Sequence, residues 1–364
     1  MSTSSRSEAR GRNGQDGGLS WPLRVELWDA ALEAVRATLR QGGLREVSTP
    51  CRVEAVAIEP WIEPIPSGHG AGHGTGAKWL ATSPELAMKT LLARGSGSIF
   101  QIAHVFRAAE VGAHHSEEFH LIEWYRTPGE LLDVMADVEA LVAAVHRSAA
   151  EVLARHGLEG QARRSETPLR WRRVKVLELM GETLGHELTG MEGPEALEPH
   201  LRRVRADLGA GLSGHGGHGE VDGASARLEA WTELFSLWSD AHLDPLLRAL
   251  GPDEAVHVVD FPAPLAALSQ VEGNIARRFE SHVGAVELAN GYRELADVDE
   301  QRRRFEAVAA LRRRHGLPPL PMPEAFLAEL DRLPPCSGVA LGLDRLLALA
   351  CGRDRLVDVS LAPQ

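Results

Sequence analysis

Residues 99–126 constrain the chain more than any other stretch. Ile99 to Phe106 and His120 to Arg126 read as β-strands, and the loop 108–118 between them is polar. The outgoing strand ends on Arg107, and the returning one carries Glu118, Phe119, Glu123, Trp124 and Tyr125. A strand-ending arginine facing a return strand of carboxylates and aromatics reads as a hairpin built to hold a nucleotide.

Around this hairpin the signals alternate between helix and strand. Val25 to Arg40 places Leu27, Ala31, Ala34, Val35 and Leu39 at helical spacing, and Gly42-Gly43 ends that helix. Leu44 to Thr49 then alternates toward a strand that stops at Pro50. Thr82-Ser83-Pro84-Glu85 marks a strand-to-helix boundary, with Ser83 as N-cap, Pro84 at the first helical position and Glu85 at the positive helix end. Pro128 opens a helix to about Arg155, apolar at Leu131, Leu132, Met135, Val138, Leu141, Val142 and Val145. From Leu158 to about Val256 the pattern is helical but broken by glycines. Val256 to Phe261, Arg277 to Glu280 and Ala285 to Asn290 read as strands, Val298 to His315 as a helix loaded with arginine, and Gly338 to Leu349 as a strand end passing into an apolar helix.

Composition excludes several classes. No run of about 18 apolar residues occurs, and Met1 to Ser20 is rich in Ser, Gly and Arg, so the expectation is a disordered tail on a soluble, cytoplasmic protein without membrane span or signal peptide. Cys51, Cys336 and Cys351 lie far apart in no metal or disulfide pattern. A formal charge of −12 argues against a generally basic nucleic-acid surface, and the clusters Arg302–Arg304 and Arg312–Arg314 read as a solvated helix face. Glycine-rich stretches at 66–77 and 209–219 hold His69, His73, His215 and His218, but flexible glycines do not preorganise ligands and no Cys or carboxylate joins either pair, so both read as surface insertions.

Carboxylates recur at seven-residue intervals, Glu280, Glu287 and Glu294, with Glu85 far upstream. Taken alone, a carboxylate such as Glu287 between Val286 and Leu288 reads as the solvent side of a strand, and Asn290-Gly291 as a turn. Their surroundings read differently. Arg278-Phe279-Glu280, Glu287-Leu288-Ala289-Asn290-Gly291-Tyr292-Arg293-Glu294-Leu295, the Arg107 hairpin and Gly338-Val339-Ala340-Leu341-Gly342-Leu343-Asp344-Arg345 together resemble class II aminoacyl-tRNA synthetases of the lysyl type. Gly43-Leu44-Arg45-Glu46-Val47-Ser48-Thr49-Pro50 is similar to motif 1 of that family, 99–126 to motif 2 and 338–349 to motif 3.

The resemblance, covering about residues 24–352, implies an α+β fold with an antiparallel β-sheet flanked by helices, as one catalytic domain over 21–364. It implies activation of an amino acid by ATP with Mg²⁺, and a homodimer formed through motif 1. Residue by residue, Arg107 matches the arginine between substrate carboxylate and α-phosphate, and Arg345 the arginine on the adenine face and γ-phosphate. Glu110, His115, Phe119, Leu288 and Gly342 match further ATP contacts, and Glu280 and Glu287 match acids that hold the metal. Ser83, Glu85, Glu123, Tyr125, Asn290, Glu294 and Ala340 match the pocket for a cationic amino acid. Arg suits these tasks because its planar fork binds phosphate bidentately and stacks. Hard carboxylate oxygens suit Mg²⁺.

Motif 1 already ends at Pro50, leaving no room before it for an anticodon-binding domain, so the resemblance narrows to the truncated branch, the elongation factor P lysine ligases. That branch implies (R)-β-lysine as substrate, elongation factor P as acceptor and no dependence on tRNA. Ser83 and Ala340 match it, where α-lysine enzymes carry alanine and glycine. The loop departs from the family pattern, with Arg107-Ala108-Ala109-Glu110 and His115-Ser116-Glu117-Glu118-Phe119-His120. A divergent lysine-adenylating paralogue acting on tRNA or another acceptor, or a catalytically silent amino-acid- or nucleotide-binding module, are the alternatives; intact Arg107, Glu287 and Arg345 weigh against silence.

Overall fold

The computed structural model describes residues 19–68, 78–162, 168–209 and 223–362. The tail before Leu19 and all four loop histidines, His69, His73, His215 and His218, fall outside them. In chain order the elements are α1 (Trp21–Gln41), β1 (Arg45–Glu46), β2 (Arg52–Val53), β3 (Trp79–Leu80), α2 (Glu85–Ala93), β4 (Ile99–Phe106), β5 (Glu118–Arg126), α3 (Leu131–Arg155), β6 (Arg170–Lys175), α4 (Val176–Leu184), α5 (Pro194–Asp207), α6 (Gly223–Trp238), α7 (Asp244–Arg248), β7 (Glu254–Pro262), β8 (Val271–Glu272), β9 (Ile275–Val283), β10 (Val286–Arg293), α8 (Val298–Arg314), α9 (Glu324–Leu330), β11 (Ser337–Gly342) and α10 (Leu343–Ala350).

The main sheet runs β1-β4-β5-β11-β10-β9-β7-β6, with β8 added to β9. Every central pair is antiparallel, while the outer pairs β1/β4 and β6/β7 are parallel. This is the expected α+β architecture. The predicted hairpin is β4 and β5, paired from Ile99↔Tyr125 to Phe106↔Glu118.

Alternation along β5 divides the two faces of the sheet. Ile122 and Trp124 join Val339 and Leu341 of β11 in a core closed by α1, α3 and α10. Leu27, Ala31, Val35 and Leu39 of α1 are all buried there, as their spacing predicts. Glu123 and Tyr125 point to the opposite face, which helices cover only at its ends. There α2, α8 and α9 close a smaller core around Phe305, Phe326 and Leu330, and α4 to α7 close another around Trp231 and Trp238 on β7. Between them the middle of the sheet is left open as a floor.

Several expectations need correction. Leu132 is 57 % exposed, and Val134 takes its place on the buried stripe of α3. That helix starts three residues after Pro128, at Leu131, where the Asp133 carboxylate accepts the Glu130 backbone N–H at 2.8 Å. Segment 158–255 contains a strand, β6, whose Arg-Trp-Arg-Arg-Val-Lys sequence has no apolar alternation. It is an edge strand held to β7 by backbone bonds, a position that charged side chains suit. Asn290-Gly291 lies inside β10 rather than at a turn, paired with β9 and β11, and glycine is needed there because a Cβ would collide with the Phe279 ring of the neighbouring strand. Arg312 is 1 % exposed and so departs from the solvated helix face, on which Arg303 and Arg313 remain exposed.

Candidate active site

The floor is set by register. Glu123 of β5 lies opposite Ala340 of β11, Ala340 opposite Asn290 of β10, and Asn290 opposite Glu280 of β9. On β11, Gly338, Ala340 and Gly342 present nothing larger than a methyl to this face, which hollows it. A Cβ on Gly338 would collide with the Tyr125 ring and with Glu294. The resulting cavity of about 310 Å³ is lined by every predicted site residue except Glu280.

A shift of register places Glu287. It pairs with His282 while Ala289 pairs with Ser281, so Leu288 is an extra residue on its strand. Strict alternation would send Glu287 and Asn290 to opposite faces; the bulge brings both to the cavity. Glu280 lies just outside, 2.6 Å from Arg278 and 3.6 Å from His282. Burial alone would raise its pKa, but the bond to His282 and the Arg278 charge outweigh burial and hold the Glu280 carboxyl below its ordinary range. Burial and the charge on Glu280 push Glu287 the other way. Among the described residues no group of three His, Cys, Asp or Glu is placed to hold a metal ion by itself.

At one end of the floor the acids organise around a lysine that sequence reasoning missed. Lys89 on α2, 1 % exposed, lies 2.6 Å from Glu85 and 2.5 Å from Glu294. Burial disfavours its charge, but Glu294 and Glu85 more than compensate and raise its pKa. Its signal in the sequence was the four-residue spacing from Glu85, which puts both on one helix face. The Ser83 hydroxyl donates to Glu123 at 2.6 Å while accepting the Glu85 backbone N–H at 2.9 Å, but the N-cap residue is Pro84 and the helix begins at Glu85, so Ser83 stands one residue further out than predicted. Tyr125 donates to the other Glu123 oxygen at 3.3 Å. Burial, reinforced by Glu85, pushes the Glu123 carboxyl up to about 8.

At the other end are the guanidinium groups. Arg107 Nε donates to the Thr82 carbonyl at 3.2 Å, Nη1 lies 3.5 Å from Glu110, and the group sits 5.2 Å from the centre of the Phe119 ring. Arg345 donates to the carbonyls of His114 and Glu287, both at 3.0 Å. Its neighbour Asp344 accepts the His120 backbone N–H at 2.7 Å, so α10 ties down both sides of the hairpin loop. Burial and the Arg345 charge lower the pKa of His115.

This arrangement, acids at one end of a small-residue floor and two arginines at the other, coincides with a family match. The family model for class II tRNA synthetases (D, K and N) covers residues 23–364. The chain belongs to this family. Among similar proteins are elongation factor P--(R)-beta-lysine ligases of Pectobacterium carotovorum, 33 % identical over 90 % of this chain and 91 % of the relative, and of Pectobacterium atrosepticum, 34 % identical over 90 % of each. A third, of the same name, from Salmonella typhi, is 33 % identical over 91 % of each.

In this member of the family the cavity also contains residues outside the predicted set, among them Glu59, Ile62, Tyr292 and Asp344. Glu59 and Ile62 come from the irregular segment after β2, which has no periodicity to read. Tyr292 lies beyond the strand expected to end at Asn290, and its face depends on the bulge at Leu288.

Proposed function

We propose that the protein activates (R)-β-lysine, or lysine, with ATP as an aminoacyl adenylate and transfers it to a lysine side chain of elongation factor P. The observation that carries this reading is the joining, in one cavity, of Arg107 and Arg345 with an acidic end formed by Glu85, Glu123 and Glu294. A carboxylate oxygen of the amino acid attacks the α-phosphorus of ATP, and pyrophosphate leaves with the electrons of the broken P–O bond. The acceptor amine then attacks the acyl carbon, and AMP leaves. No protein nucleophile is needed. The residues position two anions and offset their charge, which is the main catalytic requirement of such a displacement.

In this reading Arg107 lies between the substrate carboxylate and the α-phosphate, Phe119 and Arg345 enclose the adenine, and Gly342 permits close approach. Glu110, His115 and Leu288 complete the nucleotide contacts. Glu123, with Ser83, Tyr125 and Asn290, receives an ammonium group of the substrate, beside the Glu85–Lys89–Glu294 triad. Ala340 sets how much room remains on the floor. The Glu287 carboxylate faces the cavity without an ion-pair partner among the described residues, a donor set that fits Mg²⁺ held by one or two carboxylates and by phosphates. Glu287 would hold that ion, with Glu280 behind it; when bound, Mg²⁺ offsets the charge of the phosphates.

We further read the protein as a cytoplasmic homodimer joined through α1 and the strand that follows, supported by the exposed Trp21 and Val25 on α1. No helix among the described residues is long and apolar enough to cross a membrane.

The test is Mg²⁺-dependent ATP–pyrophosphate exchange, stimulated more by (R)-β-lysine than by L-lysine, followed by transfer of labelled amino acid to elongation factor P in preference to tRNA. Equal or reversed stimulation would remove the β-lysine assignment. Normal exchange without transfer would remove the acceptor.

A further inference from the structure

Most carboxylates that line the cavity already have a partner. Glu85 and Glu294 share Lys89, Glu123 is bonded to Ser83 and Tyr125, Glu110 lies beside Arg107, and Asp344 is held against His120. Two are left whose side chains make no ion pair or hydrogen bond with any described residue: Glu287 and Glu59. Glu287 stands at the nucleotide end, where its own carbonyl accepts from Arg345. Glu59 has no assigned role.

Its position is well fixed. Glu59 follows the buried run Val56-Ala57-Ile58, and Ile58 is packed in the core of α2, α8 and α9. Arg312 of α8 then pins the next turn, donating to the carbonyls of Glu59 at 3.1 Å and Ile62 at 3.0 Å and to the Glu63 carboxylate at 2.6 Å. The Glu63 carbonyl in turn accepts the Ala108 N–H at 2.8 Å, which joins this segment to the hairpin loop directly after Arg107. With the Pro318 carbonyl as well, this buried guanidinium is bonded to three carbonyls and a carboxylate, which holds backbone far more rigidly than an ordinary surface loop. Glu59 is therefore presented to the cavity by a braced segment, on the side of Arg107.

The electrostatics agree with that placement. After burial, which pushes its carboxyl up to about 7, the charge that acts most on Glu59 is that of Arg107, followed by Glu85. An unpaired carboxylate in such surroundings is costly to ionise unless a cation arrives. A diamino acid whose carboxyl lies at Arg107 carries one ammonium within two or three bonds of that carboxyl and a second at the far end of its chain. Glu123 sits on the sheet floor opposite Ala340, among Ser83 and Tyr125, whereas Glu59 comes from the loop that adjoins Arg107.

We propose that Glu59 is a substrate-contacting carboxylate that receives the ammonium group nearest the reacting carboxyl, and so helps set preference among diamino acids. This rests on the reading of the cavity as a diamino-acid site, and the experiment separates the two. Affinities of (R)-β-lysine, L-lysine and 6-aminohexanoate, which lacks the near ammonium, are measured by calorimetry on the wild type, Glu59→Gln and Glu59→Asp, alongside their thermal midpoints.

Glu59→Gln should weaken (R)-β-lysine by about 30-fold or more, the cost of truncating one partner of a desolvated charge pair, and leave 6-aminohexanoate essentially unchanged. Glu59→Asp should fall between the wild type and Glu59→Gln for (R)-β-lysine. Unchanged (R)-β-lysine affinity in Glu59→Gln, or an equal loss for 6-aminohexanoate, would overturn the assignment while leaving the diamino-acid site standing. A wild type that binds none of the three amines would overturn both.

Discussion

Lys89 Nζ lies 2.5 Å from Glu294 Oε2, and both side chains are 1 % exposed. The same ammonium reaches Glu85 at 2.6 Å, so a helix and the end of a strand that are remote in sequence share one buried cation. The triad holds a net negative charge in place without two carboxylates repelling each other across a desolvated gap.

Lys89→Met should therefore be among the more damaging single substitutions in the chain. It leaves Glu85 and Glu294 without their counter-charge, and removing one partner of a buried pair costs roughly 3–5 kcal/mol. The expected result in urea denaturation is a lower midpoint with an unchanged slope, together with lost pyrophosphate exchange. Full stability and activity would mean that the triad is not ionic.

Glu123 and Glu59, with pKa values pushed by burial up to about 8 and about 7 from an ordinary 4.5, make opposite predictions for stability and for binding. As pH rises from about 4.5 to 8 the unfolded chain loses these protons first, so stability of the free protein should fall across that window, with no contribution from either group below it. Binding of a cationic substrate requires the ionised carboxylates, so its affinity should increase through pH 7 to 8 and release protons at neutral pH. Thermal midpoints and calorimetry in buffers of different ionisation enthalpy test both signs.

Arg345→Lys keeps the charge but loses the planar fork that spans the His114 and Glu287 carbonyls. Both the nucleotide contact and the brace between loop and β10 should suffer. Exchange activity should drop by roughly 100-fold or more, the scale seen when a preorganised donor is removed from a reacting centre. A thermal midpoint near that of the wild type would place the loss at the site rather than in folding.

Ala340 lies between Glu123 and Asn290 in the cross-strand row, so its methyl is the only side-chain bulk that β11 contributes there. Ala340→Gly should shift the ratio of kcat/KM for (R)-β-lysine and L-lysine toward L-lysine. The change should be modest, since a single methyl is worth about 1–3 kcal/mol of discrimination. An unaltered ratio would show that the floor does not select the amine position.

The sequence by itself determined the hairpin of β4 and β5, the helices α1, α3 and α8, and the strand entering α10, because apolar period, caps and glycines act over a few residues. Through resemblance it also supplied many of the residues that line the cavity, though not Glu59 or Ile62. Tertiary structure alone decided which face each presents. Glu287 reaches the cavity because of the register shift at Leu288, and Glu280 turns to Arg278, neither of which a seven-residue spacing encodes. Glu59 entered the site, and Arg312 left the solvent, for one reason: α8 packs against an aperiodic segment some 250 residues earlier in the chain and binds its carbonyls. Charge on a helix looks the same in sequence whether water or a distant backbone receives it, and only long-range packing settles which.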